Sequence, residues 1–254
     1  SIIEAEWFDA CVDAHIKLKF SPLGQEKIAY DPADSGDAKA MAYQHGCVVL
    51  GVTSTTTGDI NEATDWALGH VNRIKPDVFI WDSDGVGLSL RRQITEGVAG
   101  KKIKLVPFHG GGEKDNPFEL YDDISNDFAG DIERERNNAD MFANLRAQCY
   151  WILKDRMFKT YLAVEKGHNI PNDELISFSS GISELAGLRA ELCRIPRKLN
   201  NKAGKIQIMS KPEMKALKIQ SPNMADAVMM LQKQVDIYSD YDDYEPERTG
   251  GSWA

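Results

Sequence analysis

Three aspartates, Asp31, Asp82 and Asp226, lie in settings where a carboxylate can do chemistry. Asp31 closes the largely apolar run Lys27-Ile28-Ala29-Tyr30, and Asp82 closes Val78-Phe79-Ile80-Trp81. Carboxylates at such strand ends project from the carboxyl edge of a sheet, a usual place for an α/β active site. Asp226 sits between Ala225 and Ala227, in the second turn of a helix opened by Ser221-Pro222. Those small neighbours would let the helix approach the sheet edge closely. Carboxylates gathered there would raise one another's pKa unless a cation joined them. Oxygen-only ligands favour Mg2+ or Mn2+ over zinc. Two such ions ~3.5–4 Å apart would activate a water and stabilise the departing 3′ oxygen of a phosphodiester.

Each aspartate also has an ordinary structural explanation. Aspartate is common in the turns that end strands, and the helix dipole favours it in the early part of a helix. Asp34, Asp37 and Asp84 lie close by and compete for the same roles. The glycine spacing of an EF-hand is missing around Asp31 and Asp82, which disfavours a calcium loop. None of the five histidines is paired at helical spacing, so no zinc ligand set is visible.

The elements that must position these residues follow from periodicity. Ile3, Trp7, Ala10, Cys11 and Ala14 give a helical pattern that Ser21-Pro22-Leu23-Gly24 breaks, marking 1–24 as a lead-in segment. Residues 27–31 read as a strand, and 38–44 and 47–53 as a hairpin around His45-Gly46. Helical spacing over 59–74 precedes an almost fully apolar strand, 77–82, suited to the middle of a sheet. A helix from Gly87 to about Gly97 and a strand at 102–107 follow. An antiparallel meander leading into helix-linked strands is the order of an α/β ribonuclease-H-like fold, a mixed sheet flanked by helices. Residues 108–131 are Gly- and Asp-rich and read as an irregular loop. Residues 137–158 read as one helix, with Met141, Leu145, Cys149, Ile152, Leu153 and Met157 on one face. Residues 165–180 are an excursion, 183–193 return to helix, and 205–209 form a short strand. Ser221 is placed to cap the last helix, with Pro222 at its first position. The main domain spans 25–235, and the acidic, aperiodic stretch 236–254 is expected to be disordered.

The bulk numbers bound the function. With 254 residues, 42% hydrophobic and 27% charged, the chain can bury an ordinary core. No stretch approaches the ~18–20 apolar residues of a membrane span, and the first residues do not resemble a signal peptide. Cys11, Cys47, Cys149 and Cys193 lack any CxxC spacing and read as reduced core thiols. A net charge of −9 argues against a polyanion partner, but its distribution does not. Nine basic residues between Arg189 and Lys218 face only two acids, a segment charge of +7, whereas the stretch from Asp236 onward carries −5. That separation fits a basic surface plus an acidic tail, or simply a solvated helix and a solubilising end.

Five motifs together resemble the nuclease domain of a tailed-bacteriophage terminase large subunit, of the headful-packaging type. They are Ile28-Ala29-Tyr30-Asp31-Pro32-Ala33 with Gly36-Asp37, and Ile80-Trp81-Asp82-Ser83-Asp84-Gly85-Val86-Gly87. The others are Asn144-Leu145-Arg146-Ala147-Gln148, the approach Lys211-Pro212-Glu213-Met214-Lys215, and Ser221-Pro222-Asn223-Met224-Ala225-Asp226-Ala227. The last is the most specific. The resemblance implies a two-metal endonuclease that cuts concatemeric double-stranded DNA when packaging starts and ends, in the host cell cytoplasm. It also implies a portal protein, a small terminase subunit and a motor ATPase domain as partners. No Gly-x-x-x-x-Gly-Lys-Ser/Thr phosphate loop occurs in this sequence, so the ATPase half is not expected here.

On this reading Asp31 bridges two Mg2+ or Mn2+ ions, Asp82 holds one and Asp226 completes the other. Asp84 and Asp37 are spare ligands or neighbours. Lys211 either contacts the scissile phosphate or is an exposed lysine at a helix start. Arg194, Arg197, Lys198, Lys202, Lys205, Lys215 and Lys218 are the candidates for DNA phosphate contacts, which position a duplex without reading its sequence. Alternatives are a transposase- or resolvase-type nuclease, a module that mainly grips DNA or portal, and an actin-like ATPase, which shares the acidic strand ends but needs phosphate loops not seen here.

Overall fold

The computed structural model describes residues 1–33, 38–122, 136–199 and 204–237. Among them, the strands β1 (Glu26–Asp31), β2 (Lys39–His45) and β3 (Val48–Thr55) form an antiparallel meander. Helix α3 (Ile60–Ile74) then leads to β4 (Val78–Asp82), which lies parallel to β1. A 3-10 turn (Gly85–Leu90) and helix α4 (Arg91–Gly97) lead on to β5 (Lys104–Phe108), parallel to β4. With a short sixth strand, β6 (Ser177–Phe178), the sheet order is β5-β4-β1-β2-β3-β6. This is the mixed, helix-flanked ribonuclease-H-like arrangement, with β1 and β4 at its centre.

Strand alternation divides the core into two layers. Ile28, Tyr30, Phe79 and Trp81 face one side and pack with Ala67, Leu68 and Val71 of α3 and Ile94 of α4. Ala29, Ala40, Ala42, Val78 and Ile80 face the other side and carry the larger core. Because the side-chain period is two, Asp31 and Asp82 belong to this second face. It is covered by α6 (Leu145–Lys166), α7 (Leu185–Leu192) and α9 (Asn223–Met230). The alanines on the strands share this core with Ala225 and Ala227, both fully buried, and α9 lies close on β1 and β2. Helices α1 (Ala5–Cys11) and α2 (Ala14–Lys17), from the lead-in segment, join the same layer. Phe8 stacks on Phe178 at 5.0 Å, and Ile2 and Ile3 are buried with it.

Several expectations change. The helix expected over 137–158 is two: α5 (Asn138–Met141) and α6. Phe142 leaves the helix to bridge Ile206, and the Asn144 side chain accepts from Ala147 N at 2.9 Å to start α6 afresh. Asparagine at an N-cap offers the backbone a better partner than helix continuation does. The excursion over 165–180 contains a sixth strand, β6 (Ser177–Phe178), parallel to β3. Two residues are too short to give a sequence signal. Residues 205–209 form no sheet strand; Ile206 and Ile208 make single bridges to opposite neighbours, Phe142 and Arg197. The stretch from Gly87 is a 3-10 turn before it becomes helix. The last described residues, Asp236 and Ile237, lie against the sheet end, where the Lys104 ammonium donates to the Asp236 carbonyl. The rest of the expected tail lies outside the described residues.

Buried cysteines 11, 47 and 149 and half-buried Cys193 are all unpaired thiols. Burial pushes Cys11 and Cys149 well above the ordinary thiol range, which leaves them poor nucleophiles. Among the described residues no helix is long and apolar enough to cross a membrane.

Two contacts set measurable contributions to this fold. Asp59 caps α3 in a reciprocal capping box with Glu62. Asp59→Ala should therefore lower stability by about 1 kcal/mol in urea unfolding. Gly46 turns the hairpin at φ +59°, and a Cβ there would meet the Leu23 carbonyl oxygen at 1.9 Å. Gly46→Ala should cost more, on the order of 2 kcal/mol, in the same assay.

Candidate active site

The acidic centre assembles from three separate lengths of chain. Parallel pairing of β1 with β4 sets Tyr30 beside Trp81, so the next residues, Asp31 and Asp82, end neighbouring strands on the same face. Gly87 keeps this edge tight: a Cβ there would sit 1.8 Å from the Asp82 carbonyl oxygen. Helix α9 brings Asp226 over the edge from the covering layer. Asp226 lies in its first turn, one turn earlier than expected from sequence. Ser221 does not cap that helix; its hydroxyl donates to Asn223 Oδ1. Glu191 of α7 takes the role, accepting from Ala225 N at 2.9 Å. Burial pushes that carboxyl up to about 7.

Asp31 is 2% exposed and Asp226 4% exposed, so both carboxylates are out of water. The Lys211 ammonium lies between them, 3.1 Å from Asp31 Oδ2 and 3.2 Å from Asp226 Oδ2. Ser210 and Glu213 form a capping box that starts α8 (Lys211–Ala216) and fixes where that lysine begins. Asp226 Oδ1 accepts from Tyr150 Oη at 2.7 Å and from Arg146 Nη2 at 3.1 Å. Its Oδ2 is buried and accepts no hydrogen bond, having only the ion pair to Lys211.

Their titration follows from these surroundings. Burial pushes Asp31 up to about 7, against Lys211 and with the help of Asp226 and Asp82. Asp82 is also raised, by burial first, with the Asp84 N–H to its Oδ1 at 3.0 Å opposing. Burial pulls Asp226 upward too, but Arg146, Lys211 and Tyr150 outweigh it and hold its carboxyl below the usual range. The two strand-end acids resist ionisation while the helix acid is held ionised.

Asp84 points differently. It is half exposed, accepts from Gly110 N at 2.8 Å and lies 3.2 Å from His109 Nδ1. It ties the loop after β5 to the edge, and Asp82 is the residue that faces the centre. The Lys211 side chain is 41% exposed, but its ammonium end is shared by two buried acids. Asp37 and Lys202 lie outside the described residues. Among the described basic candidates, Lys198 pairs with Glu213, Lys205 donates to the Ala139 carbonyl and Arg197 lies over the Trp151 ring at 5.4 Å. Arg194 donates to the Ala190 carbonyl, and Lys215 and Lys218 are exposed.

Among the described residues, no three His, Cys, Asp or Glu side chains converge closely enough to hold a metal ion as they stand. An ammonium occupies the space between Asp31 and Asp226. The donors nonetheless suit a hard cation, because Asp226 Oδ2 is buried with no hydrogen bond and both acids already share one positive charge.

Solved structures decide the family. The nuclease domain of the large terminase subunit gp2 of bacterial virus Sf6 superposes with a TM-score of 0.86 at 40% identity, covering 93% of this chain and 100% of that one. The chain belongs to the nuclease domains of bacteriophage large terminase subunits. A lysine-to-alanine variant of the Sf6 domain, solved with manganese and beta-thujaplicinol, gives the same identity, coverage and TM-score. The same variant with calcium gives a TM-score of 0.83 over 92% of this chain and 100% of that one. No family model and no curated protein matches the chain.

Two residues of this terminase nuclease domain carry a role that periodicity alone did not assign. Arg146, in the Asn144-Leu145-Arg146-Ala147 motif, holds Asp226 and also donates to the Met209 carbonyl at 3.0 Å. Tyr150, one turn on, lies 5.0 Å below the Arg146 guanidinium and donates to the same carboxylate. A cation and a phenol one turn apart on the apolar face of α6 were the available signal. Because the Tyr150 bond reaches a buried ionised group, Tyr150→Phe should cost roughly 1.5–3 kcal/mol. Urea denaturation at pH 7 measures it, and an unchanged midpoint would mean the phenol does not hold Asp226.

Proposed function

We propose that this domain is a divalent-metal-dependent endonuclease that cuts concatemeric double-stranded DNA at the initiation and termination of packaging. One observation carries the reading: Asp31 and Asp226, far apart in sequence, are buried within 3.2 Å of one shared cation, with Asp82 at the next strand end. Membership among terminase nuclease domains supports the same conclusion, as do the relatives solved with manganese and calcium.

Asp31, Asp82 and Asp226 would hold two Mg2+ or Mn2+ ions. When bound, these would supply an activated water and neutralise the leaving 3′ oxygen. The protein's own part is preorganisation. Tyr150 and Arg146 keep Asp226 ionised and fixed in direction. The sheet face and α9 exclude water from Asp31, so its carboxylate gains most from a cation. Lys211 balances the buried charge before metal arrives, which keeps the acidic centre from repelling itself apart. Arg194, Arg197, Lys215 and Lys218 are the described basic candidates with exposed side chains, available to meet DNA phosphates. In the whole enzyme the domain would act beside a motor ATPase domain, a small terminase subunit and a portal, in the host cell cytoplasm.

The test is plasmid cleavage with Mn2+ or Mg2+, using Asp31→Ala, Asp82→Ala and Asp226→Ala. Each should lose at least a hundredfold in rate while keeping its circular dichroism, and EDTA should abolish wild-type cutting. If any two of the three cut at the wild-type rate, the assignment is wrong. A domain that only grips DNA would bind without nicking at any metal concentration.

A further inference from the structure

At the end of β1 away from the acidic centre, a cavity of about 410 Å3 opens beside the hairpin turn, residues 172–173 and the turn after α9. Lys27, Arg156 and Lys233 line it, together with the amides Gln44, Gln232 and Asn172. Lys27 shares its sheet face with Asp31 but lies four residues back along β1, roughly 13 Å away. The cavity is therefore separate from the acidic centre.

The hydrogen-bond acceptors of its two inner cations are all neutral. The Lys27 ammonium donates to the Lys233 carbonyl at 2.9 Å and the Leu231 carbonyl at 3.4 Å. Arg156 donates to the Leu175 carbonyl at 3.0 Å, the Asp173 carbonyl at 2.6 Å and Gln232 Oε1 at 3.4 Å. Neither is ion-paired with a carboxylate among the described residues; the Asp115 carboxylate is taken by Lys233 at 2.6 Å. A guanidinium has five N–H donors and an ammonium three, so each retains capacity. Asp173, which also lines the cavity, and Glu174 act on Arg156 through space, and Asp115 on Lys27, but none of them forms an ion pair with either cation. Holding two like charges together away from water without a paired carboxylate is costly. Burial and then the Arg156 charge push the Lys27 ammonium down to about 8, and burial lowers Arg156 as well. The acidic centre makes no use of either group.

We infer that this cavity is a phosphate-binding site, with Lys27 and Arg156 as its cationic walls and Lys233 beside them. An oxyanion there would supply a paired counter-charge, and the planar guanidinium fork matches phosphate oxygens. The ligand is a phosphate group, either free or on a nucleic-acid backbone.

Isothermal titration of the full chain with inorganic phosphate, in EDTA and at constant ionic strength, tests the inference. One saturable site is expected. Lys27→Met and Arg156→Gln should each weaken it at least tenfold, while Lys211→Met, which alters the acidic centre, should leave it unchanged. Should a variant fail to fold, the wild-type melting temperature is the second readout, and phosphate should raise it above the value in equivalent chloride. A duplex oligonucleotide that competes with phosphate in wild type but not in Lys27→Met would make DNA the source; absence of competition would make it a free phosphate. No saturable binding together with no rise in melting temperature overturns the site. So does loss of binding in Lys211→Met with retention in Lys27→Met. Neither result bears on metal-dependent cleavage, which EDTA switches off throughout.

Discussion

Burying carboxylates beneath a helix is possible only if positive charge is brought against them, and much of this fold serves that requirement. Two acids removed from water would each lose several kcal/mol of hydration. The Lys211 ammonium between Asp31 and Asp226, with Arg146 and Tyr150 behind, replaces that hydration with fixed partners. Each partner comes from a different element. The sheet edge, α6, α8 and α9 must all be in register before the charges balance. The packing follows: alanines on β1 and β2 share the core with alanines on α9, where small side chains suit a helix lying near enough for Asp226 to reach the edge.

The same constraint explains the unequal electrostatics of the three acids. Asp226 has two cations and a phenol and stays ionised, while Asp31 and Asp82 are raised mainly by burial. A site arranged this way holds charge that it does not fully neutralise by itself. On the proposed metal-dependent reading, that residual charge is what a divalent cation would meet.

Charge at the opposite end of β1 has the reverse sign. Lys27 and Arg156 are held against carbonyls rather than carboxylates, so the same sheet face carries an excess of negative charge at one end and positive charge at the other. The net charge of −9 hides this polarity. Nor is the basic stretch from Arg194 to Lys218 a uniform surface, because Lys198, Lys205 and Arg197 are engaged within the protein.

Periodicity along the chain was enough for the meander, the two acidic strand ends and the order of strand and helix that defines the fold. Those signals are local, resting on runs such as 77–82 and on the hairpin at Gly46. The sequence also shows that Ala225 and Ala227 flank an acid, which is why Asp226 was recognisable. That Asp82 faces the centre while Asp84 ties down a loop emerges from packing, since the two sit within two residues and face parity is set by pairing with β1. Packing also decided that Lys211 joins Asp31 to Asp226 and that Glu191, not Ser221, caps α9. These contacts join residues from 15 to 180 positions apart (Lys211–Asp226 and Lys211–Asp31). No periodicity encodes them, because they exist only once two layers have packed and their charges must be balanced in the space that remains.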